Sequence, residues 1–133
     1  MSSPLFQTIV VATDGSATAA QAVERGAELA GLTGGGQLDL VGAYDDSRGQ
    51  EKLESALATL ASQLGDHGLK VTTITRQGDP VEVILDVAKE RGADLIVVGN
   101  LGMTGARRFL LSSIPDKVSH RAECSVLVVN TAG

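Results

Sequence analysis

The sequence has no tryptophan, one tyrosine and two phenylalanines, so only 2% of its 133 residues are aromatic. That scarcity excludes a base-stacking platform for single-stranded nucleic acid. It also leaves the core to Val, Leu, Ile and Ala. One cysteine, Cys124, excludes an internal disulfide. It opens the last apolar segment and is expected to pack there. The two histidines, His67 and His120, are too scattered for metal-ligand spacing, so no metal site is expected from the protein alone. Positive charge is in deficit: 11 Lys and Arg face 16 Asp and Glu, a net charge of −5. A broad nucleic-acid-binding face needs the opposite balance. No apolar run approaches the ~20 residues of a membrane span. Residues 1–7 lack the basic and apolar regions of a signal peptide. The expectation is a cytoplasmic protein whose residues 1–133 form a single domain.

What is present is an alternation of short apolar runs and helical stripes. "LFQTIVVAT" (Leu5 to Thr13) reads as a buried strand ending at the turn signal "DGS" (Asp14 to Ser16). Ala20, Val23, Ala27 and Ala30 recur at helical spacing until "GLTGGG" interrupts them. "QLDLVGAY" (Gln37 to Tyr44) is a second strand. Leu53, Leu57, Leu60 and Leu64 give a second helix one apolar stripe. "KVTTITRQ" (Lys70 to Gln77) is β-branched and alternating, as a strand near a sheet edge should be. In "GDPVEVILDVAKERG", Asp79 fits an N-cap and Pro80 the first helical position. Glu82 there can close a capping box, and Gly92 can end the helix. "DLIVVG" (Asp94 to Gly99) is a fourth strand, Ser112 or Ser113 can cap a short helix beginning near Pro115, and "CSVLVVN" (Cys124 to Asn130) is a fifth strand. Five strands alternating with four helices predict a parallel sheet with helices on both faces and right-handed crossovers. Periodicity alone does not give the strand order.

Open α/β sheets bind ligands beyond the carboxyl ends of their strands, and two such ends carry unusual residues. The first is "ATDGS" (Ala12 to Ser16). The other is "VGNLGMTGARRFLLSS", in which Gly99, Gly102 and Gly105 allow close backbone approach. Arg107 and Arg108 are the only charges between Leu95 and Pro115. Successive N–H groups of such a loop, the N-terminus of the following helix and the Ser113 hydroxyl suit phosphate. Plainer readings stand beside this one. The glycines can simply build a turn, the arginines can be solvated, Ser113 can be a cap and Asp14 can be a turn residue. Tyr44 can be an exposed loop residue rather than a cover for a base.

Across nearly its whole length the sequence resembles the universal stress protein family. The resemblance is carried by "IVVATDGS" (Ile9 to Ser16), "GDPVEVILDVAKERGADLIVVGNLG" (Gly78 to Gly102) and the terminal "SVLVVN". The family signature is Gly, two residues, Gly, nine residues, then Gly with Ser or Thr. Gly99 and Gly102 match it, nine residues run from Met103 to Leu111, and Ser112-Ser113 stand in place of Gly-Ser. The resemblance implies a Rossmann-like open sheet in the order 3-2-1-4-5. It implies an adenine nucleotide, ATP first and AMP or cyclic AMP as alternatives, with Mg2+ or Mn2+ accompanying a triphosphate. By the resemblance, base and ribose would lie on Ala12, Thr13, Asp14 and Ala43, and phosphates on Gly99, Gly102, Ser112, Ser113 and Ile114. Val98 beside the base, and Arg107 and Arg108 beside the phosphates on account of their charge, are further candidates. Family members commonly dimerise through the fifth strand, which here puts Val126, Leu127, Val128 and Val129 at a homodimer edge. Two departures bear on this. Ser112 replaces a glycine, and "DDSRGQEK" (Asp45 to Lys52) is short for a lid over the base.

Catalytic constellations are missing from the sequence. No Gly-Lys-Ser/Thr follows the glycines, and no Ser-His-Asp or Cys-His set is evident. Asp14 has no second acid beside it and "NTAG" supplies no lysine after strand five, against a receiver domain. "TDGS" is not the Ser-Gly-Gly loop of a pyrophosphatase-type nucleotide enzyme. The expectation is a stress-response nucleotide binder rather than an enzyme, with slow ATP hydrolysis the one catalytic reading left open. A nucleotide-free homodimeric interaction module is the alternative.

Overall fold

A computed structural model describes residues 6–33, 37–66, 68–99 and 113–130. The chain runs β1 (Thr8–Ala12), α1 (Ala17–Thr33), β2 (Gln37–Tyr44), α2 (Ser47–Gly65), β3 (Lys70–Gln77), α3 (Pro80–Arg91), β4 (Leu95–Gly99), α4 (Ser113–Arg121) and β5 (Ser125–Val129). All strand pairs are parallel, in the order β3-β2-β1-β4-β5. This is the expected α/β sheet and the order that the family resemblance implied.

Strand alternation sorts the apolar side chains onto two faces. Ile9, Val11, Leu38, Leu40, Leu95 and Val97 meet Ala22, Val23 and Ala30 of α1 and Leu53 and Leu57 of α2. Val10, Val41, Ile96 and Val98 meet Val81, Ile84 and Val87 of α3 and Val118 of α4. With so few aromatics, close approach replaces bulk: a Cβ on Gly26 of α1 would stand 2.5 Å from Val11 Cγ2. Tyr44, the last residue of β2, is half-buried against the α1/α2 core and so is not the exposed loop residue of the plainer reading.

Local chemistry sets the boundaries. Asp94 is expected to begin the fourth strand but instead clamps the first: its carboxylate accepts from Gln7 N at 2.8 Å and Thr8 N at 3.1 Å. The β1–β4 ladder therefore starts at the pair Ile9 and Leu95. In α3, Asp79 accepts from Glu82 N at 3.1 Å, Pro80 occupies the first turn and Gly92 takes the left-handed conformation, φ 66°. The capping box does not close as expected. The Glu82 carboxylate is taken by Arg121 of α4, at 2.7 Å and 3.2 Å from its two terminal nitrogens. A charged fork offers Glu82 a stronger partner than one backbone N–H. Ser113 is the first residue of α4, so a cap ahead of it falls on Ser112, outside the described residues. His120, in the last turn of α4, is solvated as expected, 3.9 Å from Asp116 Oδ1. His67 lies outside the described residues.

Candidate functional site

β1 and β4 are neighbours, and the helices that follow them leave to opposite faces, α1 to one and α4 to the other. Such a switch point opens a crevice at the strand ends. The cleft found there is lined by Ala12, Thr13 and Asp14 from the end of β1, Val41 to Ala43 from β2, and Val98 and Gly99 from β4. Ala19 of α1, Pro80 and Ile84 of α3, and Ile114 of α4 complete it.

The β1 lip is built by its own turn chemistry. Asp14 Oδ1 accepts from Ser16 N at 2.8 Å, and Thr13 Oγ1 accepts from Gly15 N at 3.0 Å. Gly15 has φ 82°, and a Cβ on it would meet Ala56 Cβ at 2.9 Å, so only glycine fits. Ser16 Oγ then accepts from Ala19 N at 3.1 Å and starts α1. Asp14 is thus a turn residue, as the plainer reading had it, and it also lines the cleft. Its carboxylate is the only ionisable group among the described lining residues.

Backbone polarity supplies the other recognition element. Thr13 N donates to Val41 O at 2.9 Å and Gly78 N donates to Tyr44 O at 3.1 Å. Val41 therefore presents its peptide groups to β1, and Tyr44 presents its groups to β3. By alternation, the N–H and C=O of Ala43 point to the β1 side. The last ladder pair there is Ala12 with Val41, so β1 has already turned away. Among the described residues no backbone partner for Ala43 is found on that side. One donor and one acceptor stand side by side at the rim of a slot whose other side-chain polar groups are those of Thr13 and Asp14.

The structure brings Ala12, Thr13, Asp14, Ala43, Val98, Gly99 and Ile114 together, all singled out from the sequence. Gly102, Arg107, Arg108 and Ser112 lie outside the described residues. Ala19, Val41, Gly42, Pro80 and Ile84 were missed. Strand order is the signal that could have found the last two: α3 must cross from β3 to β4 over β2 and β1, which carries its first turn to the switch point.

β5 pairs only with β4, so its outer side is a sheet edge. Leu127 and Val128 are 36% and 44% exposed there, and Val126 is half-buried. Val129 differs: its side chain belongs to the chain's own core. Cys124 is a free, partly buried thiol, raised in pKa first by burial and then by Asp94 and Glu123. Among the described residues no three His, Cys, Asp or Glu side chains are grouped to hold a metal, and no helix is long and apolar enough to cross a membrane.

Comparison with known proteins places these features. Residues 5–130 match the model of the universal stress protein family. The chain is 33% identical to the universal stress protein Rv1636 of Mycobacterium tuberculosis, over 95% of this chain and 97% of that one. Among solved structures, a universal stress protein in complex with cAMP aligns with TM-score 0.79 and 28% identity, over 96% of this chain and 99% of that one. Hypothetical protein MJ0577 of Methanocaldococcus jannaschii aligns with TM-score 0.83 and 26% identity, over 95% and 96%. With its fold, its switch-point cleft and its sequence in agreement, the chain belongs to the universal stress protein family.

Proposed function

We propose that residues 1–133 form one adenine-nucleotide-binding domain that acts in stress response through nucleotide-dependent conformation or partner choice. The observation that carries this is the Ala43 peptide pair at the rim of the slot. Adenine offers an N6 amino donor beside an N1 acceptor, which the Ala43 C=O and N–H match in that order. Guanine offers the reverse pattern and would leave both groups misdirected, at a cost of about 1–3 kcal/mol for each unsatisfied group. Ala12, Val98 and the missed Ile84 and Pro80 supply apolar faces for the ring. Thr13 and Asp14 supply polar groups for the ribose.

The phosphates fall to Gly99, Gly102, Arg107, Arg108, Ser112, Ser113 and Ile114, of which Gly99 ends β4 and Ser113 and Ile114 begin α4. The positive end of α4 favours anions there. ATP is the first candidate, with Mg2+ or Mn2+ held by the phosphates rather than by a protein ligand set. AMP and cyclic AMP are the alternatives, and the structural neighbour solved in complex with cAMP supports the nucleotide class. Binding rather than turnover is the activity, in a cytoplasmic setting. A homodimer through the β5 edge completes the reading.

Calorimetric titration of nucleotide-stripped protein with ATP, with and without magnesium, tests it. One saturable site per chain that disappears in Gly102→Val supports the phosphate loop. Absence of heat with millimolar ATP, AMP and cyclic AMP alike contradicts the proposal and leaves the nucleotide-free interaction module.

A further inference from the structure

A second apolar surface lies at the other end of the sheet, where the C-terminal ends of α1 and α2 come together. Ala19 of α1 lines the cleft, and Leu32 is about 20 Å further along the same helix. A groove of about 590 Å³ is floored there by Ala27, Gly31, Leu32, Leu64 and Leu69. Leu32 is 83% exposed, against 44% for Val128 and 36% for Leu127 on the β5 edge.

Two features of this groove bear on what it can hold. The first is Gly31. It lies in the last turn of α1, where glycine costs less than the roughly 1 kcal/mol of a helix interior. Gly26 is required by its contact with Val11, but a Cβ on Gly31 would meet no atom within 4 Å. Nor does Gly31 adopt a left-handed conformation.

The second is charge. A helix C-terminus is negative and favours basic residues nearby, yet neither α1 nor α2 has one in its last turn. Asp66 sits instead at the C-cap of α2, and Glu24 and Glu28 line the groove. Arg25 and Glu28 pair at 2.7 Å and cancel each other, so the net negative charge of the rim is that of Glu24 and Asp66. Lys70 alternates with Val71, which packs on the α1/α2 core, and so belongs to the opposite face of the sheet.

We propose that this groove docks an amphipathic helix of a partner protein, with leucine-type side chains on its apolar face and Lys or Arg flanking them. The missing Cβ at Gly31 admits close backbone approach. The apolar floor takes anchors at helical spacing, and the electronegative rim selects basic flanks. A second copy of this chain would instead set two acidic rims against each other.

The test is an NMR titration of isotope-labelled protein with two short helix-forming peptides. Both carry leucines at i, i+3, i+4 and i+7, one flanked by lysines and the other by glutamates. The lysine peptide should give saturable shifts at Ala27, Gly31, Leu32, Leu64 and Leu69, binding at least about tenfold tighter than the glutamate peptide and weakening with salt. Gly31→Leu and Leu32→Glu should abolish binding, while Gly31→Ala melts at or above the wild-type temperature. No saturation at millimolar peptide, equal affinity for both peptides or shifts confined to another surface would overturn the proposal. So would a change of oligomeric state in Leu32→Glu, which would assign the groove to a second copy.

Discussion

Arg91, the last residue of α3, holds the fully buried carboxylate of Asp39 on β2 at two points, Nε to Oδ2 at 2.9 Å and Nη2 to Oδ1 at 3.1 Å. Gln37 Nε2 adds a third donor at 2.7 Å from Oδ1. The contact ties the end of α3 to β2 and thereby sets the line along which its first turn, with Pro80 and Ile84, reaches the cleft. Removing the guanidinium leaves a buried carboxylate with one neutral donor. Arg91→Ala should therefore cost about 3 kcal/mol in urea unfolding. Replacing both partners, Asp39→Leu with Arg91→Met, should recover most of that loss. A single-variant loss below about 1 kcal/mol would show that the pair does not anchor α3.

Acid sensitivity follows from two forked pairs on the α3 side of the sheet. Hydrogen bonding to Arg121, reinforced by its charge, holds Glu82 below the usual carboxylate range. Arg76 does the same to Glu90, from 2.6 Å and 2.7 Å. A carboxylate with a lowered pKa contributes stability above its ordinary value and loses it as pH falls through the lowered one. Unfolding midpoints should thus decline below about pH 4.3. Arg121→Gln and Arg76→Gln should flatten that decline while changing the midpoint at pH 7 little, since both pairs are solvent-screened. An unchanged acid profile in both variants would contradict this.

The β5 edge leads to a prediction about assembly. Unpaired strand edges with exposed apolar side chains are normally covered or joined to another chain. If the edge forms the homodimer proposed above, light scattering at tens of micromolar should give twice the chain mass. Val128→Lys should give a folded monomer. A monodisperse wild-type monomer would remove the dimer from the account.

Cys124 should be a slow nucleophile. Burial and two neighbouring carboxylates push its thiol up, so little thiolate exists near neutrality. Alkylation by iodoacetamide at pH 7.5 should run well below the rate for free glutathione, and Cys124→Ala should bind nucleotide as the wild type does. Faster alkylation than glutathione would reverse this assignment.

Legibility from the sequence tracked how local the deciding physics was. β2 and β3 could be read end to end, because each is a self-contained β-branched or apolar run with turn residues around it. α3 could be read from Asp79, Pro80 and Gly92, which cap it with their own backbone and side-chain chemistry. The fate of the Glu82 carboxylate could not, because its competitor Arg121 arrives from a helix 39 residues away. Asp94 was read as strand for the same reason, its partners Gln7 and Thr8 lying on β1. Ala12, Thr13 and Asp14 stood out because the Asp-Gly turn marks the β1 lip. Pro80 and Ile84 read as ordinary helix residues, and nothing local shows that α3 crosses over β1. Strand order came from the family resemblance, since periodicity carries no information about which strands are neighbours.

Adenine recognition by the Ala43 peptide is the claim on which the functional reading turns. Inosine triphosphate tests it, because it differs from ATP only in replacing the N6 amino donor by an oxygen acceptor and N1 by an N–H donor. Titrated calorimetrically under identical conditions, ATP should bind at one site per chain, and inosine triphosphate at least about tenfold more weakly. Equal affinity for the two would mean that the rim of the cleft does not read the base, and the Ala43 assignment would fall.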